Sequence, residues 1–185
     1  MDQDKFTNIY RLPGSIQVRI GKWQQTLRGT SDLVLHQALQ SRNKQYKTKA
    51  LKPTGWFITP FRYEDISVTH HGRYIQTALR TMLDRKVAYK RLYLSTTPLE
   101  QAEPALIAFK KEWILKHNRV AKKYNQIKLK EFLRYATEEL ETLYPSIPKP
   151  QFDKALWNRL VVSELGSQKK FSDPFYVKRA DRNKK

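Results

Sequence analysis

HGRYIQTALRTMLDRKVAYKRLYLSTTPLEQAEPALIAFKKEWILKHN, residues 71–118, contains two alternating runs followed by an amphipathic one. Side chains alternate across a strand with period two, so apolar residues two apart mark one buried face. In the first run Ile75, Thr77 and Leu79 share a face, and Tyr74, Gln76, Ala78 and Arg80 share the other. In the second, Leu92 and Leu94 face inward and Tyr89, Arg91 and Tyr93 outward. Leu83-Asp84-Arg85-Lys86 joins them as a turn. The next segment supplies a helix for the apolar side. Thr97 with Glu100 forms a capping box and Pro98 suits the first helical position. Pro104 is too deep for one uninterrupted helix, so a break and restart are expected there. Beyond it, Leu106, Phe109 and Trp113 keep helical spacing.

The uncovered face decides the functional expectation. It carries Arg73, Tyr74, Gln76, Arg80, Tyr89, Arg91 and Tyr93, with no acid among them. Arginine reads guanine and glutamine reads adenine bidentately in the major groove, which admits a two-stranded ribbon. The bland alternative is a solvated face that is basic because the whole chain is.

Residues 6–46 read as a smaller edition of the same plan. Phe6 to Leu12 ends at Pro13-Gly14. Ser15 to Ile20 places Ile16, Val18 and Ile20 on one face and Gln17 and Arg19 on the other. After Gly21-Lys22, Trp23 and Leu27 point inward while Gln24, Thr26 and Arg28 point outward. Ser31 or Asp32 then caps a helix presenting Leu35, Ala38 and Leu39. The phrase GKWQQTLR at 21–28 resembles GRYIQTALR at 72–80 with one residue inserted, which suggests a degenerate tandem repeat. The first phrase opens a last strand and the second a middle one.

Gly72, Arg73 and Tyr74 opening a strand, then Arg91, Tyr93 and Ser95-Thr96 before a helix, carry a family resemblance. This pattern of three strands and a helix resembles the plant ethylene-response-factor type of DNA-binding domain and its cousins in mobile elements. It also resembles the amino-terminal arm-binding domain of tyrosine integrases. The resemblance implies a sheet face lying in the major groove, with its arginines and aromatics touching bases. It departs from the plant pattern where Ile66-Ser67-Val68-Thr69 replaces an arginine-rich first strand, and where the turn at 83–86 has neither glycine nor asparagine.

Composition points the same way. Lys and Arg number 36 against 17 Asp and Glu, a net charge of +19. So large a charge repels itself in a compact state, and a polyanionic partner explains it. A hydrophobic fraction of 39% is enough for real cores, so this is no disordered tail. Zero cysteines exclude disulfides and thiolate metal sites and suit a reducing compartment. No run approaches the ~20 apolar residues of a membrane span, and no cleavable signal pattern opens the chain, so no membrane partner is expected.

Between the units, Lys47, Lys49, Lys52 and Pro53-Thr54-Gly55 read as a linker. Trp56-Phe57-Ile58 and Phe61-Arg62-Tyr63, with Pro60 between, read as an edge strand or extended plug that glues the two units, with stacking on unpaired bases the alternative. Arg119, Lys122 and Lys123 read as a basic join. Ile127, Leu129, Phe132, Leu133, Ala136, Leu140 and Leu143 then repeat at helical spacing until Pro145. A short helix follows with Phe152, Leu156, Trp157, Leu160 and Val161. This helical pair is expected to be a lid on the second core, with homodimerisation the alternative. The tail from Ser167 is basic and expected to be mobile, with part of it docking through Phe171, Phe175 and Tyr176.

The expected class is α+β: two small three-stranded antiparallel sheet-plus-helix units, a helical C-terminal region and a basic tail. The corresponding segments are 1–48, 49–124, 125–166 and 167–185. An enzyme is not expected. His70-His71 sit at a turn, His36 and His117 lie on separate helices, and no phosphate loop or paired carboxylates occur. Neither metal nor cofactor is called for. The expected function is sequence-selective binding of double-stranded DNA, as a regulator or accessory factor of a phage, mobile element or chromosome. That function places the protein in the cytoplasm with the nucleoid, or in a nucleus. Lys110, Lys111, Lys116, Arg119, Lys122 and Lys123 would contact phosphates, and Gln17, Arg19, Gln24 and Arg28 form a second basic face. RNA or ribosome binding is the alternative, and an adaptor for an acidic protein partner the third.

Overall fold

The computed structural model describes residues 2–3, 5–48, 55–83, 85–166 and 176–177. The fold is α+β. The strands are β1 (Asp2–Gln3), β2 (Ile9–Leu12), β3 (Ser15–Ile20), β4 (Trp23–Arg28), β5 (Thr69–His71), β6 (Tyr74–Arg80), β7 (Val87–Tyr93) and β8 (Tyr176–Val177). The helices are α1 (Asp32–Thr48), α2 (Leu99–Thr142) and α3 (Lys154–Leu165), with a 3-10 turn at Tyr63–Asp65. All strand pairs are antiparallel, in two sheets ordered β1-β2-β3-β4 and β5-β6-β7-β8. Each is the expected three-stranded sheet, extended by a two-residue strand that the sequence pattern did not indicate.

Two compact units divide the chain, and they are not consecutive: unit 1 is Met1–Thr59 with Asn125–Phe152, and unit 2 is Pro60–Tyr124 with Asp153–Lys185. This corrects the expected segment 125–166, which is split between the two cores. Trp56, Phe57 and Ile58 are buried and belong to unit 1, while Phe61 belongs to unit 2.

In unit 1, Phe6, Ile9, Ile16 and Val18 pack with Leu35, Ala38 and Leu39 of α1. The hairpin turns follow from their residues. Pro13-Gly14, with Gly14 at φ 67°, makes a type II turn, and Gly21 at φ 60° opens the two-residue turn into β4. A second cluster gathers Tyr46, Trp56, Phe57, Phe132 and Ala136, with the Tyr46 and Phe132 rings 4.3 Å apart. Arg42 is fully buried. Its Nη1 lies 2.7 Å from Glu139 and donates to the Thr7 carbonyl at 3.1 Å. Its Nε and Nη2 donate to Asn43 Oδ1, and Asn43 Nδ2 donates to the Ala136 carbonyl at 2.8 Å. Burial lowers the Arg42 pKa, opposed by the Glu139 carboxylate. Asn125 grips the extended chain at Ile58, accepting from its N–H at 2.8 Å and donating to its carbonyl at 2.9 Å.

In unit 2 the first turns of α2 cover the sheet, with Ala102 and Leu106 against Ile75 and with Val68, Leu92 and Leu94 at the edge. The helix does not break at Pro104 and has no join at 119–123; it runs unbroken from Leu99 to Thr142. Pro104 is the sixth helical residue, so it removes one hydrogen bond, to the Glu100 carbonyl. Its exposed position lets water replace that donor. α3 starts at Asp153, whose side chain accepts from the Leu156 N–H at 2.9 Å. It buries Leu156, Trp157 and Val161, whereas the other member of the expected lid, from Asn125 on, belongs to unit 1. Trp157 Nε1 donates to the Met82 carbonyl and its ring stands 5.9 Å from Tyr124. The apolar residues offered for dimerisation are thus largely used within the chain. No helix among the described residues is long and apolar enough to cross a membrane.

The two units repeat an architecture, not the phrase. Gly21-Lys22 joins the third and fourth strands of its sheet, whereas Gly72-Arg73 joins the first and second of the other. Residues 49–54, 167–175 and 178–185 of the expected linker and tail lie outside the described residues.

Candidate nucleic-acid interface

The outer face of β5–β7 is built by strand register. Directly opposed pairs are Tyr74 with Tyr93, Gln76 with Arg91, Ala78 with Tyr89 and Arg80 with Val87. On the other flank, Thr69 faces Gln76 and His71 faces Tyr74. Ile75, Thr77 and Leu79 are buried as expected, which commits their neighbours to the opposite side. Arg91 Nε donates to Gln76 Oε1 at 2.8 Å, and its guanidinium lies 4.7 Å from the Tyr74 ring centre. Tyr74 meets Tyr93 edge-on at 5.9 Å and His71 at 4.6 Å. The face is therefore one connected group: an amide, an arginine, two tyrosines and a histidine. β5, β6 and β7 contain no acid. His71 was missed as a member; its alternation with Thr69 across from Tyr74 is the signal that would have found it.

Other expected members stand apart from this group. Arg73 is exposed in the β5–β6 turn. Tyr89 is half-buried beside Ala78. Arg80 donates through Nη1 to the Arg85 carbonyl at 3.0 Å, so it braces the β6–β7 turn. That turn lacks glycine because Arg85 itself takes the left-handed conformation, φ 52°, and Thr81 holds it: Thr81 N–H donates to the Lys86 carbonyl and Thr81 Oγ1 accepts from the Lys86 N–H.

The six expected phosphate contacts on α2 divide. Lys111, Arg119 and Lys122 are exposed. Lys116 pairs with Glu112 at 2.5 Å, and Lys123 pairs with Glu164. Lys110 is a correction: it is buried, donates to the Ala78 carbonyl and lies 5.0 Å from the Trp113 ring. Burial lowers its pKa, partly offset by Asp65. No phosphate can reach it there. His117, two helical turns on, is 1% exposed, stacked at 5.1 Å on Trp113 and edge-on at 4.6 Å to Phe61. Burial, together with the cations Arg85, Arg80 and Lys110, pushes its pKa down to about 4, against a contact with Asn118 that raises it. Asn118 binds both backbone groups of Phe61, at 2.9 and 2.8 Å.

The outer face of unit 1 opposes Ser15 with Arg28, Gln17 with Thr26 and Arg19 with Gln24. Arg19, Gln24, Thr26 and Arg28 are exposed as expected. Gln17 is the exception: although it points outward, it is only 9% exposed and donates to Thr26 Oγ1 at 3.4 Å. It cannot reach a base edge from there. Among the described residues no group of three His, Asp or Glu side chains converges to hold a metal. No family model matches this chain, and no curated protein or solved structure matches it.

Proposed function

We propose that the protein binds double-stranded DNA with sequence preference, through the outer face of β6 and β7 in the major groove, as a regulator or accessory factor of a phage, mobile element or chromosome. The Gln76–Arg91 pair on its aromatic bed carries this reading. Each of those two residue types recognises a purine edge bidentately. The cross-strand bond and the Tyr74 ring hold the arginine fork in one orientation, which lowers the entropy lost on binding. The absence of acids on all three strands, on a chain of net charge +19, suits a phosphate-lined groove. Lys111, Arg119 and Lys122 serve as positioning contacts that carry no sequence information.

Selection from random pools of duplex DNA and of RNA tests it. The duplex pool should enrich a motif, and Arg91→Ala should cost ~1–3 kcal/mol and relax preference at one position. Enrichment from the RNA pool alone would favour bases stacked on Tyr74 and Tyr93 instead. Enrichment from neither would leave an acidic protein as the partner.

A further inference from the structure

The two sheets share a feature that neither strand pattern displays alone. Each places one arginine directly opposite one glutamine on its outer face: Gln76 with Arg91 in unit 2, and Arg19 with Gln24 in unit 1. The strands are exchanged, so that glutamine sits on the middle strand in unit 2 and arginine does in unit 1. Directly opposed side chains start about 5 Å apart, close enough to address neighbouring bases together. Arg19 and Gln24 are both exposed, and β2, β3 and β4 contain no acid. Arg28 and Thr26 continue the exposed face along β4, and Lys22 lies in the turn beside it.

From this correspondence we infer that Arg19 and Gln24 form a second base-reading pair, so that the chain takes a duplex containing two separate recognition blocks, one for each unit. This rests on the proposed duplex-DNA function and adds the second block to it. Gln17 has no part, because its amide is buried and turned to Thr26. Arg28 and Lys22 supply phosphate contacts around the second block.

The experiment is motif selection from a random duplex pool with the full chain, repeated with Arg19→Ala, Gln24→Ala, Arg19→Lys and Arg91→Ala. The wild-type protein should enrich two blocks. Arg19→Ala and Gln24→Ala should each flatten positions in one block, with a loss of about ten- to a hundred-fold on the selected duplex. Arg91→Ala should flatten the other block. Arg19→Lys keeps the charge and loses the fork, so it should bind scrambled duplex nearly as wild type while its block stays flat. Because Arg19 and Gln24 are solvent-exposed, unchanged far-ultraviolet circular dichroism is expected for these variants. A single block that responds to Arg91→Ala but not to Arg19→Ala overturns the inference and leaves the proposed function standing. So does an Arg19→Ala loss that is equal on selected and scrambled duplexes. If neither Arg19 nor Arg91 alters any preference, both readings fall.

Discussion

Arg42 shows what a single residue can hide. Its guanidinium is fully buried in unit 1, with three bonding directions met by Glu139, Asn43 and the Thr7 carbonyl. Removing one member of a buried pair leaves the other charge without compensation, at ~3–5 kcal/mol. Arg42→Met should lower the unfolding free energy by that amount, and adding Glu139→Leu should restore most of it. A double variant no more stable than Arg42→Met, measured by chemical denaturation, would contradict this. His117 makes a pH prediction. Its folded pKa of about 4 lies below the ordinary 6.5, so the unfolded chain takes up the proton first. The contribution is complete above pH 6.5 and is lost as pH falls towards 4. At 1.36 kcal/mol per unit this amounts to roughly 3 kcal/mol. His117→Phe should remove that part of the acid decline, and equal slopes for wild type and variant would rule it out. Lys110 and His117 were legible in principle. Leu106, Lys110, Trp113 and His117 follow one another at spacings of four, three and four, the signature of one helix face. The polar chemistry of Lys110 led to a surface assignment where its position called for a buried one.

At the scale of the element, alternation carried most of the fold. β3, β4, β6 and β7 lie where period-two patterning places them, because each sheet has one face under a helix and one left open. The same period put Gln76 and Arg91 on one outer face; their direct opposition is a matter of register, which alternation does not give. The burial of Gln17 did not follow from it either, since its amide turns to Thr26 on the neighbouring strand, which strand period does not encode. The two-residue strands β1 and β8 are too short for any pattern. Pro104 was misjudged because proline was weighed as a helix breaker without its surroundings. One missing hydrogen bond on the solvent side is a smaller loss than surrendering Ala102 and Leu106, both buried against Ile75. Pro104→Ala restores the amide and should stabilise the protein by ~1–3 kcal/mol. A lower unfolding midpoint for that variant would mean that the ring itself packs usefully.

At the scale of the whole molecule, charge sets the behaviour. A surplus of +19 repels itself, so added salt should raise the thermal midpoint while weakening duplex binding. The binding constant should fall with a logarithmic slope of about −0.9 for each phosphate contacted. Binding that does not change between about 0.05 and 0.2 M salt would remove electrostatics from the account. The split of the helical C-terminal region had no signature in the sequence, because a helical stripe states that a helix is covered but not by which sheet. That split bears on how the protein is made. Ribosomes deliver a chain at ~5–20 residues per second from the amino end, and domains usually close in that order. Here the first sheet emerges early, yet Phe132, Ala136 and Glu139, which complete its core, come from the far end of α2. Arg42 must wait, hydrated, until the second sheet and its whole length of helix have left the tunnel. The amino-terminal unit thus waits for most of the chain before it can close, and a nascent chain stalled before residue 125 carries a half-built core with a cation at its centre.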